Sequence, residues 1–172
     1  MGFGSENTMR TEKYPCDSLS LLPSELGQAV SDPSGEPTFK ADILSYWDVI
    51  ASWKISGETG IGWFELQRRP FQGEEVERHV LTPEALLCFR GAAACLIGKP
   101  KNPEGLNETD FHAFHIEQGQ GIVFPPGVWH ALPFPVTERA VFWVIFRKGT
   151  AQGDLQVVNL RQERNFQFQI AL

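Results

Sequence analysis

The segment of residues 119–130, GQGIVFPPGVWH, constrains the fold of this chain more than any other part of the sequence. Gly119 and Gly121 allow a tight turn into a short apolar run. Pro125 and Gly127 then suit a type II turn, because proline fixes one φ angle and glycine accepts a positive one. His130 follows on the far side of that turn. The pattern predicts two short strands joined by a tight turn, with the His130 side chain directed into the interior.

Short apolar runs divided by turn residues continue through most of the chain. Many short strands at such spacing are typical of an all-β sandwich or barrel, and no helix is predicted after residue 45. The predicted strands cover residues 48–55, 61–69, 74–80, 86–90, 93–97, 111–117, 121–124, 128–132, 140–148, 155–159 and 166–170.

Two of these runs also predict which side chains are buried. Phe166, Phe168 and Ile170 alternate with glutamines, so the three apolar side chains share one face of a strand. Residues 140–146 are apolar on both faces, which predicts a central strand covered on both sides.

The first forty residues have a different composition, rich in Gly, Ser, Pro and Glu. They predict a partly irregular N-terminal arm that wraps the barrel or packs on a partner subunit. Only residues 19–26 are expected to be ordered, as a short helix beginning near Ser24. The predicted division is therefore an arm at residues 1–40 and one β-barrel domain at residues 41–172.

Composition excludes several classes of protein. Hydrophobic residues make up 42% of the 172 residues, which is enough for a packed core. The formal net charge of −6 and the lack of a basic cluster argue against binding to nucleic acid or anionic membranes. No apolar stretch is long enough to span a bilayer, and residues 1–15 lack the apolar core of a secretory signal.

The chain has three cysteines, Cys16, Cys88 and Cys95, without the spacing of a metal site. Their odd, sparse number argues against a disulfide scaffold and favours reduced thiols in a cytoplasmic protein. Cys88 and Cys95 lie in apolar runs, where free cysteine is commonly a small buried hydrophobic residue.

The spacing of the 119–130 segment, G-x5-P-x-G-x2-H, resembles the second sequence motif of the cupin superfamily. The resemblance implies an all-β fold, the cupin-type double-stranded β-helix or jelly-roll barrel, here with an N-terminal extension. It also implies that His130 belongs to a site inside the barrel.

An upstream segment resembles the first cupin motif. Glu84 and Gly91 are separated by six residues, and His79 lies five residues before Glu84. Glu77 stands where the first histidine of the usual pair is expected. Glu77 and His79 have i, i+2 spacing, so they share one face of a strand.

The resemblance implies that Glu77, His79, Glu84 and His130 converge on one divalent ion and carry the chemistry. Two imidazoles and two carboxylates suit Mn, Fe, Ni or Zn, and the sequence does not choose among them. The alternative is that the histidines are hydrogen-bonded structural groups and that the glutamates are solvated.

One cupin family resembles the chain more closely. Residues 77–79 (Glu-Arg-His), the run to Gly91, and residues 127–130 (Gly-Val-Trp-His) followed by Pro133 are similar to the ureidoglycolate lyase family. The similarity covers roughly residues 45–149.

The chain departs from that family at several positions. Val80 replaces a proline and Glu84 a common glutamine. Pro125 and Ala131 stand where the family has histidines.

The resemblance implies elimination of urea from ureidoglycolate to give glyoxylate, as in allantoin degradation and purine catabolism. Glu77, Glu84 or His79 would take the hydroxyl proton. A small carboxylate substrate also needs a cation, for which the candidates are Arg68, Arg69, Arg78 and Arg90.

Two other functions remain open. One is a cupin of different chemistry, such as a metal-dependent isomerase or dioxygenase, and the other is a non-catalytic cupin that binds a small ligand. Pairing through outer strands, as in other cupins, predicts a homodimer.

Overall fold

A computed structural model describes residues 9–102 and 105–172, and strands make up most of its regular structure. The strands are β1 (Arg10–Ser18), β2 (Gln28–Val30), β3 (Phe39–Ala41), β4 (Leu44–Tyr46), β5 (Thr59–Gln67), β6 (Gln72–Gly73), β7 (Glu75–Arg78), β8 (Glu84–Arg90), β9 (Ala93–Gly98), β10 (Phe111–Ile116), β11 (Gly121–Phe124), β12 (Trp129–His130), β13 (Phe134–Pro135), β14 (Arg139–Arg147), β15 (Gln156–Asn159) and β16 (Phe166–Ala171). The helices are α1 (Thr150–Gly153), α2 (Leu160–Arg164) and the 3-10 turns Leu19–Leu21 and Glu108–Asp110.

Two sheets face each other across the main hydrophobic core. The nine-stranded sheet has the order β15-β7-β12-β9-β10-β1-β16-β6, with β13 also paired to β9, and the five-stranded sheet has the order β2-β11-β8-β14-β5. Phe124 and Phe142 of the five-stranded sheet pack in one buried cluster with Ile97 and Phe114 of the nine-stranded sheet. This arrangement is the cupin-type β-barrel that the sequence predicts.

A second core covers the other face of the nine-stranded sheet. Phe166, Phe168 and Ile170 are buried there, which confirms the predicted alternation of β16. Leu160 of α2 closes the same cluster.

The predicted central strand is β14, which pairs with both β5 and β8. Its inner face is buried, but Trp143 on its outer face is 41% exposed, so the strand is covered on one side only at that point.

The N-terminal segment is more regular than its composition predicts. β1 lies between β10 and β16, parallel to both, and is therefore an interior strand of the nine-stranded sheet. No helix begins near Ser24, because the Leu26 N–H closes a turn onto the Pro23 carbonyl instead. Residues 1–8 of the predicted arm lie outside the described residues. The division at residue 40 stays a prediction.

Two further predictions about local structure are wrong. Residues 48–55 form no strand. Ala51 and Trp53 pack on the outer face of the five-stranded sheet, and the Ser52 N–H donates to the Gln28 side chain at 3.4 Å.

Helices also occur after residue 45. α1 and α2 are only four and five residues long, too short for a helical period to show in the sequence. Asn159 caps α2, whose C-cap residue Asn165 has a φ of 59°. Within the described ranges no helix has the length and apolar character needed to cross a membrane.

Candidate active site

The four site residues predicted from the sequence meet inside the barrel, and they come from both sheets. Glu77 of β7 and His130 of β12 are cross-strand partners in the nine-stranded sheet. His79 follows directly after β7, and Glu84 is the first residue of β8 in the five-stranded sheet. The cluster therefore bridges the two layers of the fold.

Glu84 is the centre of this cluster. Its Oε2 lies 3.2 Å from His79 Nε2 and 3.1 Å from His130 Nε2. Glu77 Oε1 lies 3.7 Å from His130 Nε2. One ligand atom from each of Glu77, His79 and His130 falls within 4.8 Å of the others, the separation expected of groups that share one metal ion.

Two buried atoms of the cluster face each other without a well-formed hydrogen bond. They are Glu84 Oε2 and His130 Nε2, which are close but not aligned for donation and acceptance. Buried polar atoms are normally satisfied, and one further group placed between these two atoms would satisfy both. A divalent cation would accept lone pairs from both atoms, and the donor set therefore fits a metal.

The other ring nitrogens of both histidines are held by the backbone. His79 Nδ1 donates to the Asp154 carbonyl at 2.5 Å, and His130 Nδ1 donates to the Val128 carbonyl at 3.2 Å. A carbonyl can only accept, so each Nδ1 carries the proton and each Nε2 points into the cluster. Ligating histidines in metal sites are held in this way.

Asp154 supports the site twice, and sequence reasoning missed it. Besides its carbonyl contact with His79, its carboxylate accepts hydrogen bonds from the N–H groups of Val80 and Leu81, at 2.9 and 2.8 Å. It lies 75 residues from His79 and follows α1. An isolated aspartate after a glycine gives no sequence signal of such a role.

Aromatic rings fix the orientation of the imidazoles. The Phe124 ring stacks on His130 with centroids 4.5 Å apart and an interplanar angle of 2°. Phe146 meets His79 edge-on at 6.0 Å. Both rings restrict the imidazoles to the rotamers that face Glu84.

The predicted turn joins the two halves of the site. Gly127 has the expected positive φ, 88°, and Val128 N–H closes the turn onto the Pro125 carbonyl at 3.4 Å. Pro126 therefore occupies the second position of the turn. The Gly127 N–H donates to the His79 carbonyl at 2.7 Å, which ties the turn before His130 to His79.

The charges in the cluster lower the pKa of the Glu84 carboxyl and raise the pKa of the His79 imidazole. Burial alone would raise the pKa of Glu84, but His130 and His79 outweigh it and lower that pKa to about 2. Without a metal ion, burial would lower the pKa of His79, but Glu84, the Asp154 carbonyl and Glu77 raise it to about 9. Burial raises the pKa of Glu77. Glu84 is thus a permanent carboxylate, while Glu77 takes up a proton more readily than an exposed glutamate.

A cavity of about 400 Å³ opens beside the cluster. Its lining includes Arg69, Gln72, Gly73, Glu74, Glu75, Val76, Glu77, His130, Ala131, Leu132, Phe134, Val157 and Phe168. This volume suits a small molecule, and Glu77 and His130 are the members of the cluster that it reaches.

The sequence of the chain matches a known family over most of its length. The match is to the sequence model described as ureidoglycolate lyase, at residues 44–167. The chain belongs to the ureidoglycolate lyase family. A comparison with curated proteins found no match.

Solved structures similar to this family member include a mutant of oxalate decarboxylase from Bacillus subtilis. It has 18% identity and a TM-score of 0.44, and the match covers 62% of this chain and 25% of that chain. A 3,4-ketoisomerase mutant from Thermoanaerobacterium thermosaccharolyticum has 14% identity and a TM-score of 0.44, and the match covers 76% of this chain and 83% of that chain. The chain spans about a quarter of the length of the oxalate decarboxylase it matches.

Two positions where ureidoglycolate lyases are expected to have histidines offer no ligand here. Pro125 begins the turn, and Ala131 lines the cavity with a methyl group. His112 is exposed on β10, and His115 lies 3.8 Å from Glu117, so neither joins the cluster. The four predicted residues are therefore the ones that the structure brings together in this family member.

Proposed function

We propose that this chain is a ureidoglycolate lyase that releases urea from ureidoglycolate and leaves glyoxylate. The observation that carries the proposal is the cluster of Glu77, His79, Glu84 and His130 beside a small cavity, in a chain of the ureidoglycolate lyase family. A small-molecule substrate suits the size of that cavity.

The reaction needs one proton removed and one delivered. The substrate hydroxyl loses its proton as its C–O bond becomes the carbonyl of glyoxylate, and the C–N bond breaks with its electron pair moving to the nitrogen. That nitrogen then gains a proton to complete urea. Glu77 lines the cavity and can take the hydroxyl proton, and the same carboxylic acid can return it to the leaving nitrogen.

The remaining residues of the cluster hold this arrangement in place. Glu84 is buried between the two imidazoles and keeps both Nε2 atoms directed into the cluster. Phe124 covers one face of His130 and keeps water away from it.

Glu77, His79, Glu84 and His130 would hold the metal, with Mn, Fe, Ni or Zn as candidates. A bound divalent ion would polarise the substrate hydroxyl and lower its pKa. Metal analysis of the purified protein should find about one divalent ion per chain, and adding that ion should raise the melting temperature. The metal proposal fails if neither is observed.

The activity is tested with ureidoglycolate as substrate, following urea and glyoxylate together. We expect both products in equal amounts, and a loss of at least a hundredfold in the His130→Ala variant. His112→Ala, an exposed histidine of β10, is the matched control and should keep full activity.

Failure of this assay would favour the other functions. A stoichiometric metal without urea release would favour a metal-dependent isomerase or dioxygenase. Neither metal nor turnover would leave a cupin that binds a small ligand without catalysis.

We also propose a cytoplasmic homodimer that acts in allantoin degradation. The three free cysteines support a reducing compartment. An aromatic patch on the outer face of the five-stranded sheet supports pairing of two copies. Its members are Ile61, Trp63, Phe89 and Trp143, which are between 41% and 72% exposed.

A further inference from the structure

The four arginines that could bind a substrate carboxylate have different surroundings in the structure. Arg78 donates to Gln156 and lies over the Trp129 ring, while Arg90 lies over Phe89 in the outer aromatic patch. Arg68 lies 5.9 Å from the Phe71 ring. None of these three lines the cavity beside the cluster.

Arg69 lines that cavity together with Glu77 and His130. Its Nη1 donates to the Pro133 carbonyl at 2.8 Å, and its Nη2 donates to the Leu132 carbonyl at 2.9 Å. The guanidinium carbon also lies 3.9 Å from the centre of the Phe134 ring. The head group is therefore fixed in position before any ligand arrives.

The charge of Arg69 is not neutralised within the described part of the chain, where no carboxylate lies within ion-pair distance of it. The guanidinium carries five N–H groups, of which the two carbonyls use two. The other N–H groups remain available for an anion, and a planar fork matches a carboxylate.

The acidic side chains of the cavity lining do not compete for this position. Glu74 is paired with Arg161 at 3.5 Å and also contacts Asn159. Glu75 is exposed, where water and salt screen its charge. Glu77 faces His130 in the cluster. Among the described residues that line the cavity, Arg69 is the one arginine or lysine.

We propose that Arg69 binds the carboxylate of a small 2-hydroxy acid and so holds the hydroxyl carbon against Glu77 and His130. The carbonyls that fix the guanidinium belong to the second and third residues after His130, so this segment links the anchor directly to the cluster. The identity of the acid as ureidoglycolate rests on the proposed function, whereas the carboxylate site does not.

Binding of glycolate and of its neutral amide, glycolamide, tests the site without requiring turnover. Calorimetric titration of the metal-loaded protein, repeated after treatment with EDTA, should show glycolate binding at least tenfold tighter than glycolamide. The Arg69→Gln variant should lose that preference, and Arg68→Gln, the adjacent exposed arginine, should keep it. Equal binding of the two compounds by the unmodified protein, or an unchanged preference in Arg69→Gln, would overturn the proposal.

A second variant separates anion binding from the role of Arg69 in fixing residues 132–133. Arg69→Lys keeps the charge but loses the fork, so we expect an intermediate preference for glycolate. If Arg69→Gln fails to fold, the Arg69→Lys variant tests the proposal instead. Full retention of the preference for glycolate in Arg69→Lys would contradict binding of the carboxylate by two N–H groups of the guanidinium.

Kinetics with ureidoglycolate distinguish this inference from the proposed function. If the protein is active, Arg69→Gln should raise KM about ten- to a hundredfold with a smaller change in kcat. Unchanged kinetics in this variant would contradict the proposed role of Arg69 in binding the substrate and would not affect the lyase assignment. If the protein releases no urea but its binding of glycolate depends on Arg69, the lyase assignment is wrong and the carboxylate site at Arg69 is supported.

Discussion

The direction in which His79 points depends on a residue far away in the sequence. The Asp154 carbonyl accepts the Nδ1 proton, and its carboxylate holds the two N–H groups that follow His79. Asp154 is buried, so its side chain cannot exchange these contacts for water. One residue thus fixes the tautomer of His79 and the backbone beyond it.

Replacing the Asp154 carboxylate by an amide tests this control. In Asp154→Asn an NH₂ group faces a backbone N–H, so we expect about 1–3 kcal/mol of stability to be lost. We also expect divalent-metal affinity to fall about tenfold, because the orientation of a ligand is loosened. Urea denaturation and metal titration measure the two effects.

Asp17→Asn is the control for this substitution, since Asp17 is exposed on β1 and should change neither value. If stability falls but metal affinity stays constant, Asp154 stabilises the fold without orienting His79 as a ligand.

At the residue level, the sequence identified the side chains that carry a motif. Glu77, His79, Glu84 and His130 follow fixed spacings, and the structure brings them together. Asp154 and Arg69 have no such spacing. Their positions depend on strand pairings across the whole chain, which sequence reasoning on one chain does not provide.

At the level of elements, the turn between β11 and β12 does the most to align the site. Gly127 has a φ of 88°, and its N–H donates a hydrogen bond to the His79 carbonyl. A Cβ added at this position would meet no atom within 4 Å, so only backbone strain opposes a larger residue.

Gly127→Ala therefore measures that strain directly. We expect about 1 kcal/mol of lost stability, because an alanine disfavours positive φ, together with weaker metal binding as the turn shifts. Gly153→Ala is the matched control, since Gly153 also has free space around its Cα but ends α1 without a positive φ.

Gly153→Ala should be neutral or slightly stabilising. If both variants lose stability equally, the left-handed backbone at residue 127 is not the cause.

Strands with alternating or continuous apolar runs could be predicted, as β14 and β16 illustrate. Residues 48–55 have a similar apolar content, yet they cover a sheet instead of joining it. β1 was missed because its residues are mostly polar, and only its pairing with β10 and β16 makes it a strand.

At the level of the whole molecule, two buried thiols, Cys88 and Cys95, and the partly buried Cys16 link stability to alkaline pH. Burial raises the pKa of both Cys16 and Cys88 to about 11, and it also raises the pKa of Cys95. In the unfolded chain these thiols ionise near pH 9, so above that pH the unfolded state binds fewer protons than the native state.

The free energy of unfolding should therefore fall as the pH rises from about 9 to about 11. Urea denaturation at pH 7, 9 and 10.5 measures this change, and the Cys88→Ala variant should show a shallower decline. A stability that is constant across this range would contradict the assignment of protonated, buried thiols.

The proposed homodimer is also tested at this level. Phe89 stacks on Trp143 at 5.1 Å and contacts Trp63 at 5.9 Å, so the outer patch is one continuous aromatic surface. We expect light scattering to give twice the chain mass for the unmodified protein. The Trp63→Glu variant should give the mass of one chain while remaining folded.

Leu21→Glu, at an exposed position away from the patch, should remain dimeric. A monomeric unmodified protein would remove the homodimer proposal.

The parallel pairing of β1 with β16 has a consequence for synthesis on the ribosome. The partners Arg10 and Phe166 emerge from the exit tunnel more than 150 residues apart, so one edge of β1 has no partner until translation has passed β16. An unpaired strand edge is a template for pairing with other chains. During that interval the free edge of β1 is open to pairing with a neighbouring polypeptide, so we expect aggregation of the nascent chain to decrease when chaperones are supplied during synthesis.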